Sequence, residues 1–384
     1  MSYYEAVWKL IVPWVGENIL RLPYHINVFP NGSGDTTFNY VQVLTYFVIS
    51  VIFSTLWTIA DFKRINYRKF SRWLLVLVRY YLGYMMLSYG FAKIFKTQFP
   101  FPSDFVLSET YGESSPMRLI WTFMGYSTGY NYFTGGAEAL AGLLLFFRRT
   151  TTYGSLVALT VMSNIVMINF CYDVPVKLFS LHLLLMAVFI LSFDLKRVVR
   201  FFFLNKSVQP ADLSPAFGNK PLRNVLVFVK FLLIAFFLFS IINVHYNYAS
   251  MYENMRSKTF LFGSYEVESF EKNHKDITIF NSDSLTWKNV FMLSGGYWSI
   301  RMMNDSLKYF TANADTSAQK IVLNESYNRS IRYELHYLKT DADKIELNGE
   351  LFNDILSIQL KKFDKNYLLV NRGFHWINEY PYNR

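Results

Sequence analysis

Four ionisable side chains, Arg79, Lys93, Glu138 and His182, fall inside stretches otherwise apolar enough to cross a bilayer. Charge is expensive in hydrocarbon, so each is a candidate for chemistry by default. A glutamate and a histidine can pass protons near neutral pH, and a lysine beside them supplies the counter-charge. At 1.5 Å per residue, Glu138 lies about 10 Å and His182 about 9 Å below the outer boundary of their segments. Lys93 stands about one turn from the outer end of its own helix. Glu138, His182 and Lys93 are therefore expected to meet as a catalytic polar cluster in the outer leaflet, handling protons or binding a headgroup. The other reading is a Glu138–Lys93 ion pair and a hydrogen-bonded His182 that lock the bundle. The sequence leaves both open.

Ligand-binding candidates surround this cluster. Asn164, Asn169 and Asp173 follow in the next span and turn, with Lys177 close by. Tyr84, with Tyr80, Tyr81 and Tyr89, has the flat aromatic character of a quinone pocket wall, although tyrosines are equally ordinary in helix packing. Arg79 stands apart near the inner face, as a ligand contact or as a snorkelling side chain. The stretch Asn31–Thr36 superficially resembles a phosphate loop, but it lacks the lysine and the preceding strand and reads as a turn. A single cysteine, Cys171, excludes disulfides, cysteine-ligated zinc and thiol relays within the chain. His245, His274, His336 and His375 are isolated, and no metal-ligand spacing emerges.

The elements that must position these groups are spans of about 20 apolar residues. Six candidates cover 39–60, 73–95, 131–147, 152–170, 176–193 and 222–245. The linkers after the first, third and fifth hold twelve Lys and Arg, from Lys63 to Lys220, whereas the opposite loops hold only Lys96 and Arg118, with Lys177 at the edge of span five. The positive-inside rule then puts the linkers in the cytoplasm, and the N-terminus and everything after span six outside. The net charge of +10 arises wholly before Ser250, beyond which basic and acidic residues balance at 17 each. It therefore reports topology, and no nucleic-acid partner is expected.

Residues 1–37 read as an N-terminal interfacial or extracytoplasmic segment, in which Trp8, Ile11, Val12, Val15 and Ile19 recur at helical spacing and mark either a helix lying in the membrane interface or a short helix packed on the outer face. Residues 38–247 read as the helical membrane domain and 248–384 as an extracytoplasmic β-rich domain. Within the 96–130 loop, MRLIWTFMGY reads as a short interfacial or re-entrant helix. After Ser250 the candidate strands include YEVESF, LTWKNVFML, YWSIRMM, IRYELHYL, DKIELNG, ILSIQLKKF and NYLLVNRGFHWI, divided by turns at NSDS, SGG, KTDAD and NGE. Short strands joined in sequence predict an antiparallel meander, a barrel or a sandwich. The terminal RGFHWINEYPYNR reads as an aromatic segment packing back on the barrel or the membrane mouth.

RYYLGYMMLSYGFAKIF (79–95) resembles the opening helix of DoxX-type membrane proteins, with Arg79 and the Gly90–Lys93 pair in the family's pattern. YNYFTGGAEALAGLLLFFRRTTTYGSL (130–156) is similar to the family's Gly-x-x-Glu segment, through Gly135, Glu138 and Gly142. The resemblance covers about residues 73–195 and implies a four-helix bundle there. It also implies kinship with the small membrane subunit of thiosulfate:quinone oxidoreductase, and a hydrophobic segment ahead of this N-terminus.

The fold class expected is thus a polytopic α-helical membrane protein with a DoxX-like four-helix core and a C-terminal all-β antiparallel domain, in the bacterial inner membrane. One functional expectation is a quinone- or redox-linked component in contact with membrane lipid. The alternative is a non-catalytic envelope protein whose β domain docks a protein partner or a small ligand. Whether the chain is an enzyme stays open at this point, because a fold does not fix a function.

Overall fold

In a computed structural model of the chain, residues 3–210, 220–258, 261–276, 286–327, 331–351, 354–363 and 366–383 are described. The amphipathic helix expected near the N-terminus is α1 (Tyr3–Asn18), whose Val12 packs with Ile26 and Val41. α2 (Thr37–Ala60) starts at a capping box, in which Thr36 accepts from the Asn39 N–H and the Asn39 side chain accepts from the Thr36 N–H. Only Val41 of α2 is buried, and the helix is apolar on every face, as suits a helix solvated by lipid.

Four helices close a bundle in the first of two compact units, which takes Met1–Phe99 and Ser115–His245. α3 (Arg68–Ile94) is followed by α4 (Asp104–Leu107) and α5 (Pro116–Tyr126), then by α6 (Thr128–Leu145), α7 (Thr151–Cys171) and α8 (Lys177–Ser192). α3 packs on α6 and α8, and α7 packs on the same two. Leu82, Met86, Ala141, Leu145, Ala158, Met162, Leu183, Ala187 and Ile190 form their common core. The tightest crossing is α3 on α6. A Cβ on Gly135 would sit 2.6 Å from the Gly90 carbonyl oxygen, and one on Gly142 would sit 2.7 Å from that of Gly83. Glycines one heptad apart on each helix thus let two backbones touch, the mode of close helix packing in apolar surroundings.

α9 (Leu195–Val198) runs into a π-helical turn over Val199–Phe203, and α10 (Lys220–Lys258) is a single helix of 39 residues. Among the described residues α2, α3, α7 and α10 are long and apolar enough to cross a membrane, and α8 with Leu195–Phe203 qualifies as a pair bent by 73°. α6 is a helix, but its Tyr, Asn, Thr and Glu keep it outside that criterion of composition. Several apolar helices thus make this a membrane protein. α10 also runs thirteen residues beyond the expected end at 245, because polar Asn247, Ser250 and Asn254 continue a helix that hydropathy alone would stop. Of the expected cytoplasmic linker 205–221, residues 211–219 lie outside the described set.

The second unit takes Pro100–Ser114 and Tyr246–Arg384. Its strands are β1 (Gly263–Lys272), β2 (Lys275–Asp276), β3 (Trp287–Met292), β4 (Tyr297–Met302), β5 (Leu307–Asp315), β6 (Lys320–Glu325), β7 (Arg332–Lys339), β8 (Lys344–Leu351) and β9 (Asp354–Lys362). All neighbouring pairs are antiparallel in the order β1-β3-β4-β5-β6-β7-β8-β9, and β9 returns to β1 to close an eight-stranded barrel, with β2 extending β1 as a short hairpin. Closure removes the sheet edges that a sandwich would leave. Trp287, Phe310, Tyr333, Leu335, Leu347 and Ile358 fill the interior. Pro100–Ser114 lies against the barrel wall: Phe105 meets Phe291 edge to face, the Ser264 hydroxyl donates to Asp104 at 2.9 Å, and Arg301 donates to the Ser108 carbonyl at 3.0 Å.

Two expected features of this region are corrected. NGE lies inside β8, where Gly349 brings the strand against the Glu334 carbonyl, so it is no turn. NYLLVNRGFHWI forms α11 (Leu368–Asn371) and irregular chain, because β9 already pairs with β1 and leaves no edge to extend. The NSDS turn lies outside the described residues. The ending keeps Phe374, Trp376, Ile377 and Tyr380 exposed, with Arg372 stacked over Tyr382 at 4.1 Å, instead of folding those rings onto the barrel.

The glycine contact yields a paired prediction. Gly135→Leu forces side-chain atoms into the Gly90 backbone and should cost about 1–3 kcal/mol or more. Gly136→Leu, beside it but with open space at its Cβ, should change little. Thermal unfolding of the two variants in the same detergent measures the contrast.

Candidate functional site

α3 and α6 carry the two groups that the sequence set most weight on. Lys93 lies one helical turn beyond Gly90, and Glu138 one turn beyond Gly135, so the glycine contact that brings the backbones together also brings these side chains face to face. The Lys93 ammonium donates to both carboxylate oxygens of Glu138, at 2.7 and 2.9 Å. Lys93 is 6% and Glu138 1% exposed. Lys93 Nζ also sits 5.8 Å from the centre of the Phe99 ring, and Tyr89 lies within reach of the Glu138 charge. Both charges are satisfied within the pair, the condition under which burial is tolerable.

His182 does not complete the cluster. Its Nδ1 donates to the Leu178 carbonyl at 2.7 Å, one turn back on its own helix, and it makes no bond to Glu138 or Lys93 among the described residues. Equal depth along two helices does not decide which way each side chain faces, and this ring bonds back to its own helix. Asn169 is buried and donates to the Ser180 hydroxyl at 3.0 Å, which fastens α7 to α8. Asn164 is exposed, and Asp173 pairs with Lys177 at 2.7 Å on the surface. Tyr84 meets Phe237 of α10 edge to face at 5.1 Å, while Tyr80 packs on Phe146. Arg79 caps the far end of the same α3–α6 interface: its guanidinium donates to the carbonyls of Leu145 and Phe146 at 3.1 and 3.4 Å.

Asp35 is a positioning residue that the sequence reading passed over. It sits in the stretch taken for a simple turn, and its carboxylate accepts from the backbone N–H groups of Lys177 and Leu178 at 2.7 and 2.9 Å. This caps the start of α8 and ties it to the segment before α2. The signal was present, since Asp before a helix is a capping residue, but the helix it caps lies far away in sequence. Beyond the pair, Lys96 donates to the Gly125 carbonyl at 2.8 Å, and burial holds its ammonium below the ordinary lysine pKa.

In the second unit a cavity of about 560 Å³ is walled by one face of α10, where Asn247, Ser250, Met251, Asn254 and Met255 follow helical spacing, and by Trp298 of β4. None of its lining side chains is charged, and the volume suits a small ligand. A groove of about 500 Å³ elsewhere on the barrel joins His274 and His336, isolated in the sequence, with Glu271 and Glu350. No cluster of His, Cys, Asp or Glu able to hold a metal occurs among the described residues. Inside the barrel, the Trp287 indole nitrogen and the Tyr333 hydroxyl are buried, and the two rings meet edge to face at 5.3 Å. Burial raises the Tyr333 pKa, with the nearby Trp287 N–H acting against it. Beside Asp104, burial and that carboxylate's charge push the Tyr367 hydroxyl up to about 12.

The bonding pattern separates Glu138 from His182 energetically. Glu138→Ala strands a buried ammonium and should cost about 3–5 kcal/mol. His182→Ala removes one bond within a helix and should cost about 1 kcal/mol. Equal losses in thermal unfolding would mean that the two act as one cluster after all.

No family model matches the chain, and no solved structure matches it. The chain is 32% identical over 133 residues to the uncharacterized protein YwoB of Bacillus subtilis (strain 168), an alignment that covers 79% of that protein and 32% of this chain. Over that length and identity, the chain belongs to the same family as YwoB.

Proposed function

We propose that this member of the YwoB family is a multi-pass protein of the bacterial inner membrane whose helical bundle is an anchor and whose barrel is an extracytoplasmic binding domain. The observation that carries the reading is the packing of Pro100–Ser114 on the barrel. In the chain, α6, α7, α8 and α10 separate that segment from the barrel. If each of the four crosses once, the chain returns to the side it left. The contact therefore supports a six-span layout, with α6 as a full crossing in spite of its polar residues. It also supports a barrel on the same side as the 96–130 loop, which the positive-inside rule puts outside.

The bundle reads as an anchor because the two charges of its central pair are spent on each other. Lys93 and Glu138 are mutually saturated, and the His182 Nδ1 proton is held by its own helix. The DoxX-like reading is supported by the way Arg79, Gly90, Lys93, Gly135, Glu138 and Gly142 all fall along one helix interface. Binding is assigned to the barrel unit, whose uncharged cavity suits a small neutral ligand. A quinone recovered with the purified protein and lost on Glu138→Ala would instead favour a redox-linked bundle.

The single cysteine makes the topology measurable. Cys171 is exposed and ends α7 on the proposed outer side. A maleimide that cannot cross membranes should label it in cells whose outer surface is accessible, and an Arg149→Cys, Cys171→Ser variant should label only after permeabilisation. The reverse pattern would overturn the orientation.

A further inference from the structure

We infer that Arg79, Arg148 and Lys230 form a binding site for the phosphate of an anionic membrane lipid. The three cations come from three elements and converge on residues 145–148. Arg79 of α3 is 5% exposed and donates to the carbonyls of Leu145 and Phe146, which end α6. Lys230 of α10 has its Nζ 4.4 Å from the centre of the Phe147 ring. Arg148 is the next residue in the chain, and it is exposed. The charges of all three act on one another across this space.

Neither Arg79 nor Lys230 has a carboxylate partner among the described residues. The two carbonyls that Arg79 engages carry only the partial negative charge of a helix C-terminus. They offset part of one cation and leave the mutual repulsion of Arg79 and Lys230. A phosphate between them would supply the missing negative charge and accept several N–H donors at once, which a guanidinium matches well.

The surroundings select a lipid over a free anion. Phe147 and Phe231, whose ring centres lie 6.2 Å apart, are exposed beside the cluster, and α10 is itself apolar enough to span a membrane. An acyl chain can lie along these rings while its phosphate meets the cations. A soluble phosphate gains nothing from them. Basic pockets between membrane helices are a known way of holding anionic headgroups. In the topology proposed above this end faces the cytoplasm, but the convergence of the three cations does not depend on that topology.

Native mass spectrometry of the full chain, titrated with phosphatidylglycerol or phosphatidylcholine in one detergent, tests the site. Phosphatidylglycerol should bind preferentially, and Lys230→Gln and Arg148→Gln should each weaken it by about fivefold. Arg79 is left intact because it caps α6. Lys230→Arg should retain binding, which separates loss of charge from loss of fold. Equal binding of the two lipids, or an unchanged affinity in the Lys230→Gln, Arg148→Gln double variant, would overturn the proposal. Displacement of phosphatidylglycerol by an equal concentration of inorganic phosphate would overturn the assignment to a lipid.

Discussion

An ammonium and a carboxylate withdrawn from water must meet each other or not ionise, and this requirement governs how α3 and α6 pack. Lys93 and Glu138 sit between two backbones that touch through Gly83, Gly90, Gly135 and Gly142. The glycines permit the approach, while the pair fixes its register, since sliding one helix by a turn would separate the charges by about 5 Å. At the other end of the same interface Arg79 engages the last carbonyls of α6, so the crossing is held by charge at both ends and by contact in the middle. α7 and α8 then complete the shared core around Met86, Ala158 and Ala187. Buried ion pairs are weak contributors to net stability but strong penalties against misalignment.

The barrel obeys a different constraint. A meander of short strands must hide its edges, and the pairing of β9 with β1 does so without help from another element. Its interior is filled by aromatic and aliphatic side chains, and a cavity opens against the α10 face beside it. The Pro100–Ser114 segment, which lies between α3 and α6 in the chain, covers part of the barrel wall through Phe105 and Asp104. Its contact connects two segments distant in the chain.

Much of this was legible in the residues, and the misses have physical reasons. The six stretches expected as spans are all helical, and among the described residues four of them, or five with the bent pair begun by α8, are long and apolar enough to cross a membrane. The Glu138–Lys93 pairing could be read from depth, because two charges at one height in an apolar layer seek each other. His182 could not be excluded that way, since depth says nothing about which way a helix face turns. β5 and β6 escaped notice because LKYFTANAD and KIVLNE alternate only weakly between apolar and polar residues, and closure of the sheet supplies the rest of their stability. The polar end of α10 was invisible to hydropathy. Asp35 was hidden by distance, since it caps a helix more than a hundred residues away in the sequence.

The measurement that bears most directly on the account is a double-mutant cycle on Lys93→Met and Glu138→Leu in the full chain, read by unfolding in detergent. An interhelical lock predicts that each single substitution is strongly destabilising, because it leaves one buried charge alone. The double variant, apolar at both positions, should return to within about 1 kcal/mol of the parent. Additive losses, with the double variant as weak as the two singles combined, would contradict the claim that the pair orders the bundle.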